Sequence, residues 1–139
     1  MKSEVEPFAS DEFVLRLIWR DFFKPGEPPT ISPRAFLPKP NEIDGISVFR
    51  EACVLEPEAI LAVIAEEKRD KYGIVRLPVS ALLSVGLSIV SAEIDSVAGH
   101  CVLPELNIDT LQTDPPKTAE LQEALAKLSN CNVIRKPAK

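Results

Sequence analysis

The sequence predicts a single compact α+β domain, with a small mixed sheet, two main helices and a proline-rich covering loop. Three observations carry this expectation. Short apolar runs of strand length outnumber helical patterns and alternate with them irregularly. The chain has 139 residues, the usual size of one domain, with 45% hydrophobic and 27% charged residues, so a core forms without staples. No internal repeat and no second block of composition divides residues 1–139.

Residues 1–10 read as a loose lead. The next segment, Asp11 to Phe23, is strongly apolar, and its centre, Val14-Leu15-Arg16-Leu17-Ile18-Trp19, suits a buried strand. Periodicity alone does not separate strand from helix over so short a run, and a strand is favoured. Lys24 to Asp44 carries Pro25, Pro28, Pro29, Pro33, Pro38 and Pro40. Proline fixes φ and removes a donor, which excludes a long helix or a central strand. Ile31, Phe36 and Leu37 make this an ordered loop laid over the core. Asn41 to Gly45 is a turn signalled by Asp44-Gly45. It leads into a strand, Ile46 to Arg50, with Ile46 and Val48 on one face and Ser47 and Phe49 on the other.

The clearest helical pattern runs from Pro57 to Tyr72. Pro57 suits a first helical position, Ile60, Leu61 and Ile64 form a stripe, and Lys68, Arg69 and Lys71 favour the negative end. Gly73 is the expected left-handed stop. Ile74–Leu77 is a strand halted by Pro78, Ser80–Val85 one or two helical turns closed by Gly86, and Leu87–Ala92 and Gly99–Leu103 two further strands. Glu105–Thr113 is left open. Asp114 caps a final helix from Pro115 to about Asn130, with Leu121, Leu125 and Leu128 on one face. Residues 135–139 read as a basic, solvated tail.

Composition narrows the function classes. Sixteen Lys and Arg stand against 21 Asp and Glu, a net charge of −5 with a pI near 5.0, which disfavours broad binding to nucleic-acid phosphates. Cys53, Cys101 and Cys131 are scattered and odd in number, which argues against a disulfide framework or a zinc knuckle and fits a reducing compartment. The lone His100 excludes a histidine-rich metal site, and neither metal nor cofactor is expected. Met1 to Glu6 lacks the apolar run of a signal peptide, and the longest uncharged run, Leu77 to Ala92, is too short to span a bilayer. A cytoplasmic location without membrane attachment is therefore expected.

No glycine-rich phosphate loop, HExxH or GxSxG motif occurs. The chemistry-bearing candidates are isolated. His100 opens a strand and suits an acid, base or ligand role, or a plain hydrogen bond to backbone. Its neighbour Cys101 points to the opposite sheet face, so the two do not form a dyad. Ser32, Arg34 and Phe36 lie on the proline-rich loop, where a serine and an arginine could hold an anion or carboxylate and Phe36 an apolar anchor. Arg16 is a charge inside an apolar strand and needs a partner or a cleft. Arg50 carries the same ambiguity at the end of its strand, and Ser47 shares that strand. Glu105, after a strand end, is a catalytic candidate or a turn residue.

Ser32-x-x-x-Phe36, Asp44-Gly45-x-Ser47-Val48 and Gly99-His100, within roughly residues 12–107, together resemble a family of small, uncharacterised bacterial proteins. The resemblance implies a bacterial source and a shared fold, and no activity. In order along the chain, Arg16, Ser47 and Glu105 also resemble the Arg, Ser and late Glu of ADP-ribosyltransferase-like folds. The Ser-Thr-Ser type pattern and a Glu-x-Glu or Gln-x-Glu pair are missing. The leading expectation is a non-enzymatic intracellular domain that binds a protein partner, as an accessory or regulatory subunit. The rival is a small nucleotide-binding or ADP-ribosyltransferase-like enzyme using Arg16, Ser47 and His100.

Overall fold

The computed structural model describes residues 11–24, 26, 30–38, 44–92, 94, 97–130 and 132–137. The expected lead, the first residues of the Asn41–Gly45 turn, Cys131 and the last two tail residues lie outside these. The strands are β1 (Phe13–Trp19), β2 (Phe23–Lys24), β3 (Thr30–Ile31), β4 (Ile46–Arg50), β5 (Tyr72–Pro78), β6 (Val90–Ser91), β7 (His100–Leu103) and β8 (Val133–Arg135). The α-helices are α1 (Val79–Ser84), α2 (Ile108–Thr113) and α3 (Pro115–Asn130). Six strands form one sheet in the order β6-β7-β4-β1-β5-β8, and β2 and β3 form a separate ribbon. The chain is an α+β domain, as its sequence predicts, and every pairing among the described strands is antiparallel.

The apolar run of β1 sits in the sheet interior because it is apolar on both faces. Val14 and Ile18 join Val48, Val75, Leu77, Cys101 and Leu103 against Leu121 and Leu125 of α3. Leu15 joins Phe49 and Ile74 on the other face, against Ile60, Leu61 and Val97. The alternation expected for Ile46 to Phe49 is the one observed. Asp114 starts α3 as predicted, its carboxylate accepting from the Lys117 amide at 3.3 Å. The stretch left open by its sequence becomes α2, capped by Asn107, whose side chain accepts from the Thr110 amide at 2.7 Å.

Residues 30–38 of the proline-rich loop cover the core as expected, while Pro25, Pro28, Pro29 and Pro40 lie outside the described residues. The loop's 3₁₀ turn, Pro33–Phe36, lies against α3, and Phe36 is completely buried. Asn130 at the end of α3 accepts from the Ile31 amide at 2.8 Å, which ties the loop to the helix.

The long helix expected over Pro57–Tyr72 is instead two 3₁₀ segments, Pro57–Val63 and Glu66–Lys71. Ile64 and Ala65 between them are extended in ψ, and Arg69 Nε donates to the Ile64 carbonyl at 2.8 Å, satisfying a group the break leaves over. Only Ile60 and Leu61 of the expected stripe are fully buried, and packing them on the sheet outweighs helix propensity. Gly73 is not a helix stop. It lies inside β5, where the Phe23 ring and the Arg135 carbonyl crowd its Cα. Val133–Arg135 pairs with β5, so Arg135 belongs to the sheet and not to a solvated tail. The strand expected over Leu87–Ala92 is confined to Val90–Ser91.

A Cβ at position 73 would sit 2.4 Å from Phe23 Cζ and 2.6 Å from the Arg135 carbonyl oxygen. Gly73→Ala is therefore expected to cost about 1–3 kcal/mol by overpacking. The denaturant midpoint should fall with an unchanged m-value, and a midpoint equal to the native one would contradict this packing.

Candidate functional site

One cleft opens where β1 and β4 separate, and a second adjoins it along the end of β1. The β1–β5 ladder runs the full length of both strands, from Phe13↔Pro78 to Trp19↔Tyr72. The β1–β4 ladder holds only Val14↔Arg50 and Leu15↔Phe49. One residue beyond, Arg16 sends its guanidinium across the gap. Nη1 donates to the Ser47 carbonyl and Nη2 to the Ala35 carbonyl, both at 2.8 Å, and Cζ lies 5.6 Å from the centre of the Phe36 ring. A charge on a buried strand thus takes backbone acceptors from β4 and from the proline-rich loop, as desolvation requires.

The first cleft, of about 270 Å³, is lined by Arg16, Ser47 and His100 together with apolar Leu17, Phe49 and Ile94. Register explains the convergence. Phe49 pairs with His100 and Ser47 with Val102, so Ser47 and His100 are diagonal neighbours on one sheet face. His100 Nδ1 lies 2.5 Å from the Ala92 carbonyl oxygen, and Nε2 lies 3.0 Å from Ser47 Oγ. A carbonyl can only accept, so Nδ1 carries the proton. In the neutral ring Nε2 is then an acceptor, and the Ser47 hydroxyl donates to it. The Phe49 ring packs edge-on against the imidazole at 5.2 Å.

The second cleft, of about 450 Å³, shares Arg16, Leu17 and Tyr72 with the first. Trp19 and Phe22 add aromatic walls, and Arg34 and Lys68 add cationic groups. Trp19 and Tyr72 stack edge-to-face at 5.2 Å. Among the described residues no carboxylate lines either cleft, in a chain with net charge −5.

The candidates therefore divide. Arg16, Ser47 and His100 share one cleft, and Arg34 stands on its neighbour. Ser32 instead caps the 3₁₀ turn, its hydroxyl accepting from the Arg34 amide at 3.2 Å. Phe36 is core. Arg50 is held by Glu12 in a two-pronged ion pair at 3.1 and 2.7 Å, with 17% and 15% of the two side chains exposed. Donating these hydrogen bonds to the Glu12 carboxylate holds the Arg50 guanidinium above its ordinary pKa. Glu105 accepts from the Ser88 amide at 2.8 Å and the Ser88 hydroxyl at 2.7 Å, which latches the loop before β6. Arg16, Ser47 and Glu105 are thus not brought to one cleft. Cys101 faces the α3 side of the sheet, opposite to His100, as strand alternation predicts.

Sequence reasoning missed Trp19, Tyr72 and Lys68 as cleft residues. Tyr72 and Lys68 were assigned to a helix that does not form, and Trp19 to the core. The available signal for the two rings was an aromatic residue at a strand end, Trp19 closing β1 and Tyr72 opening β5, where a ring can be half covered and half free.

Among the described residues no group of three His, Cys, Asp or Glu side chains could hold a metal ion, and no helix is long and apolar enough to cross a membrane. No family model, curated protein or solved structure matches this chain.

Arg50→Lys is expected to destabilise the fold by about 1–3 kcal/mol, because an ammonium cannot reproduce the two-pronged contact with Glu12. Denaturation midpoints of the variant and the native chain check this, and equal midpoints would contradict it.

Proposed function

We propose that this domain binds a small anionic ligand with a planar aromatic part, of the nucleotide class, in the two adjoining clefts along the end of β1. The observation that carries this reading is the convergence of Arg16, Ser47 and His100 on one cleft that opens into an aromatic, cation-edged one. Aromatic walls with a few placed polar groups are the usual make-up of a small-molecule site. A base in the second cleft would lie beside the Trp19 and Tyr72 rings, with Arg34 and Lys68 near enough to meet phosphate or carboxylate oxygens by charge-assisted hydrogen bonds. ADP-ribosyl transfer has less support than binding, because Glu105 is engaged with Ser88.

A protein partner is the second reading, and it too has an observation in its favour. Leu37 and Ile94, each 38% exposed, and Val63, 36% exposed, lie on the cleft margins, and Leu55 is fully exposed. Apolar groups gathered around a cleft suit an inserted partner side chain.

A thermal-shift screen against nucleotides, NAD and ADP-ribose separates the two. A ligand at 100 times its Kd adds about 2.7 kcal/mol, a rise in Tm on the order of 8 °C for a domain of this size. Arg34→Ala with Lys68→Ala should weaken binding at least about tenfold. No shift with any of these ligands would remove the nucleotide reading and favour the partner.

A further inference from the structure

We propose that Ser47 is a nucleophile activated by His100, and that the smaller cleft is an acyl-transfer site for esters that pair a short acyl group with an anionic remainder. This deepens the small-molecule reading above and rests on the same cleft. Three features of an activated serine are present together. The Ser47 hydroxyl and His100 Nε2 are within hydrogen-bond reach at 3.0 Å. A third group, the Ala92 carbonyl, fixes the imidazole with its proton on Nδ1, which leaves Nε2 free of a proton and facing the serine. Both side chains border an open cleft and neither is sealed in the core. A serine, a base and an orienting acceptor in this relation are what an activated serine requires, whatever their order in the chain.

Arg16 is a positioning residue here. Its hydrogen bond to the Ser47 carbonyl holds the backbone that carries the nucleophile at the point where the β1–β4 ladder has ended. The rest of the lining sets the substrate class. Leu17, Phe49 and Ile94 wall the cleft beside the Ser47–His100 pair, which suits a short apolar acyl chain. The adjoining cleft, with Arg34 and Lys68, suits the anionic remainder.

The chemistry balances with water as the only co-reactant. Ser47 Oγ bonds to the ester carbonyl carbon as its proton passes to His100 Nε2. The bond from that carbon to the leaving oxygen breaks, and His100 returns the proton to the departing alcohol. Water then attacks the acyl-Ser47, giving its proton to His100 Nε2. The acyl–Oγ bond breaks, the carboxylic acid leaves, and Ser47 recovers the proton from His100.

The test is covalent labelling of the native full chain with an alkyl fluorophosphonate, mapped by peptide mass spectrometry, alongside hydrolysis of p-nitrophenyl butyrate. One adduct on Ser47 is expected. Ser47→Ala should abolish it. His100→Gln keeps an N–H for the Ala92 carbonyl but has no basic nitrogen, and it should slow labelling and hydrolysis at least about 100-fold. Adduct mapping on the native chain decides the matter even if a variant does not fold. No adduct, an adduct elsewhere than Ser47, or a folded His100→Gln variant labelling at the native rate would overturn the proposal. A nucleotide-induced rise in Tm without labelling would overturn this chemistry while leaving the binding reading intact. Labelling of Ser47 without any such rise would uphold the chemistry and remove the nucleotide.

Discussion

Arg16 is the constraint around which the domain is arranged. A guanidinium does not lose its charge on burial, so a buried strand that carries one must supply acceptors for it. Two of them are backbone carbonyls from segments distant in sequence, Ser47 on β4 and Ala35 on the proline-rich loop. Together they fasten the loop, the sheet and β4 to one another through a single side chain. The same contact requires β4 to turn its carbonyl to a side chain at the point where ladder pairing with β1 stops. The parting of the two strands, and hence the smaller cleft, goes with how this charge is satisfied.

The two sheet faces are covered unequally. Helix α3 and the buried Phe36 fill one face with a continuous apolar cluster. The other is covered by the short 3₁₀ segments of 57–71, which bury Ile60 and Leu61 but reach no further with fully buried side chains. A 3₁₀ turn presents a narrower apolar stripe than an α-helix and packs less area per residue against a sheet. Leu17, Ser47, Tyr72 and His100 are left bordering open space, with a polar pair among them.

Within that space Ser47 and His100 join three strands. His100 reaches from β7 to the end of β6 through Ala92 and to β4 through Ser47. These bonds support the sheet edge, and they also set the tautomer and aim of the imidazole. A hydrogen bond that merely braces a sheet and one that prepares a base are alike in geometry. The difference lies in whether the hydroxyl meets a substrate, and here it borders a cleft.

The class of the fold was legible in the sequence. Apolar segments at Val14–Trp19, Ile46–Phe49 and Ile74–Leu77 carry their strand character locally, and Asp114 with Pro115 marks the start of α3 by capping chemistry alone. Strand alternation also separated Ser47 from Val48 and His100 from Cys101. The 57–72 segment was misread because its helical pattern is real but its burial is decided by the sheet it lies on. Glu105, Arg50 and Ser32 looked like functional groups because the sequence does not reveal their partners Ser88, Glu12 and the Arg34 amide. What each strand is, and which way its side chains point, follows from local steric and hydrophobic preferences that the sequence determines by itself. Which residues meet depends on strand register and on where a ladder ends, and those are fixed only when distant segments bury their surfaces together. The Ser47–His100 pair, 53 residues apart in the chain, is therefore a product of the tertiary structure.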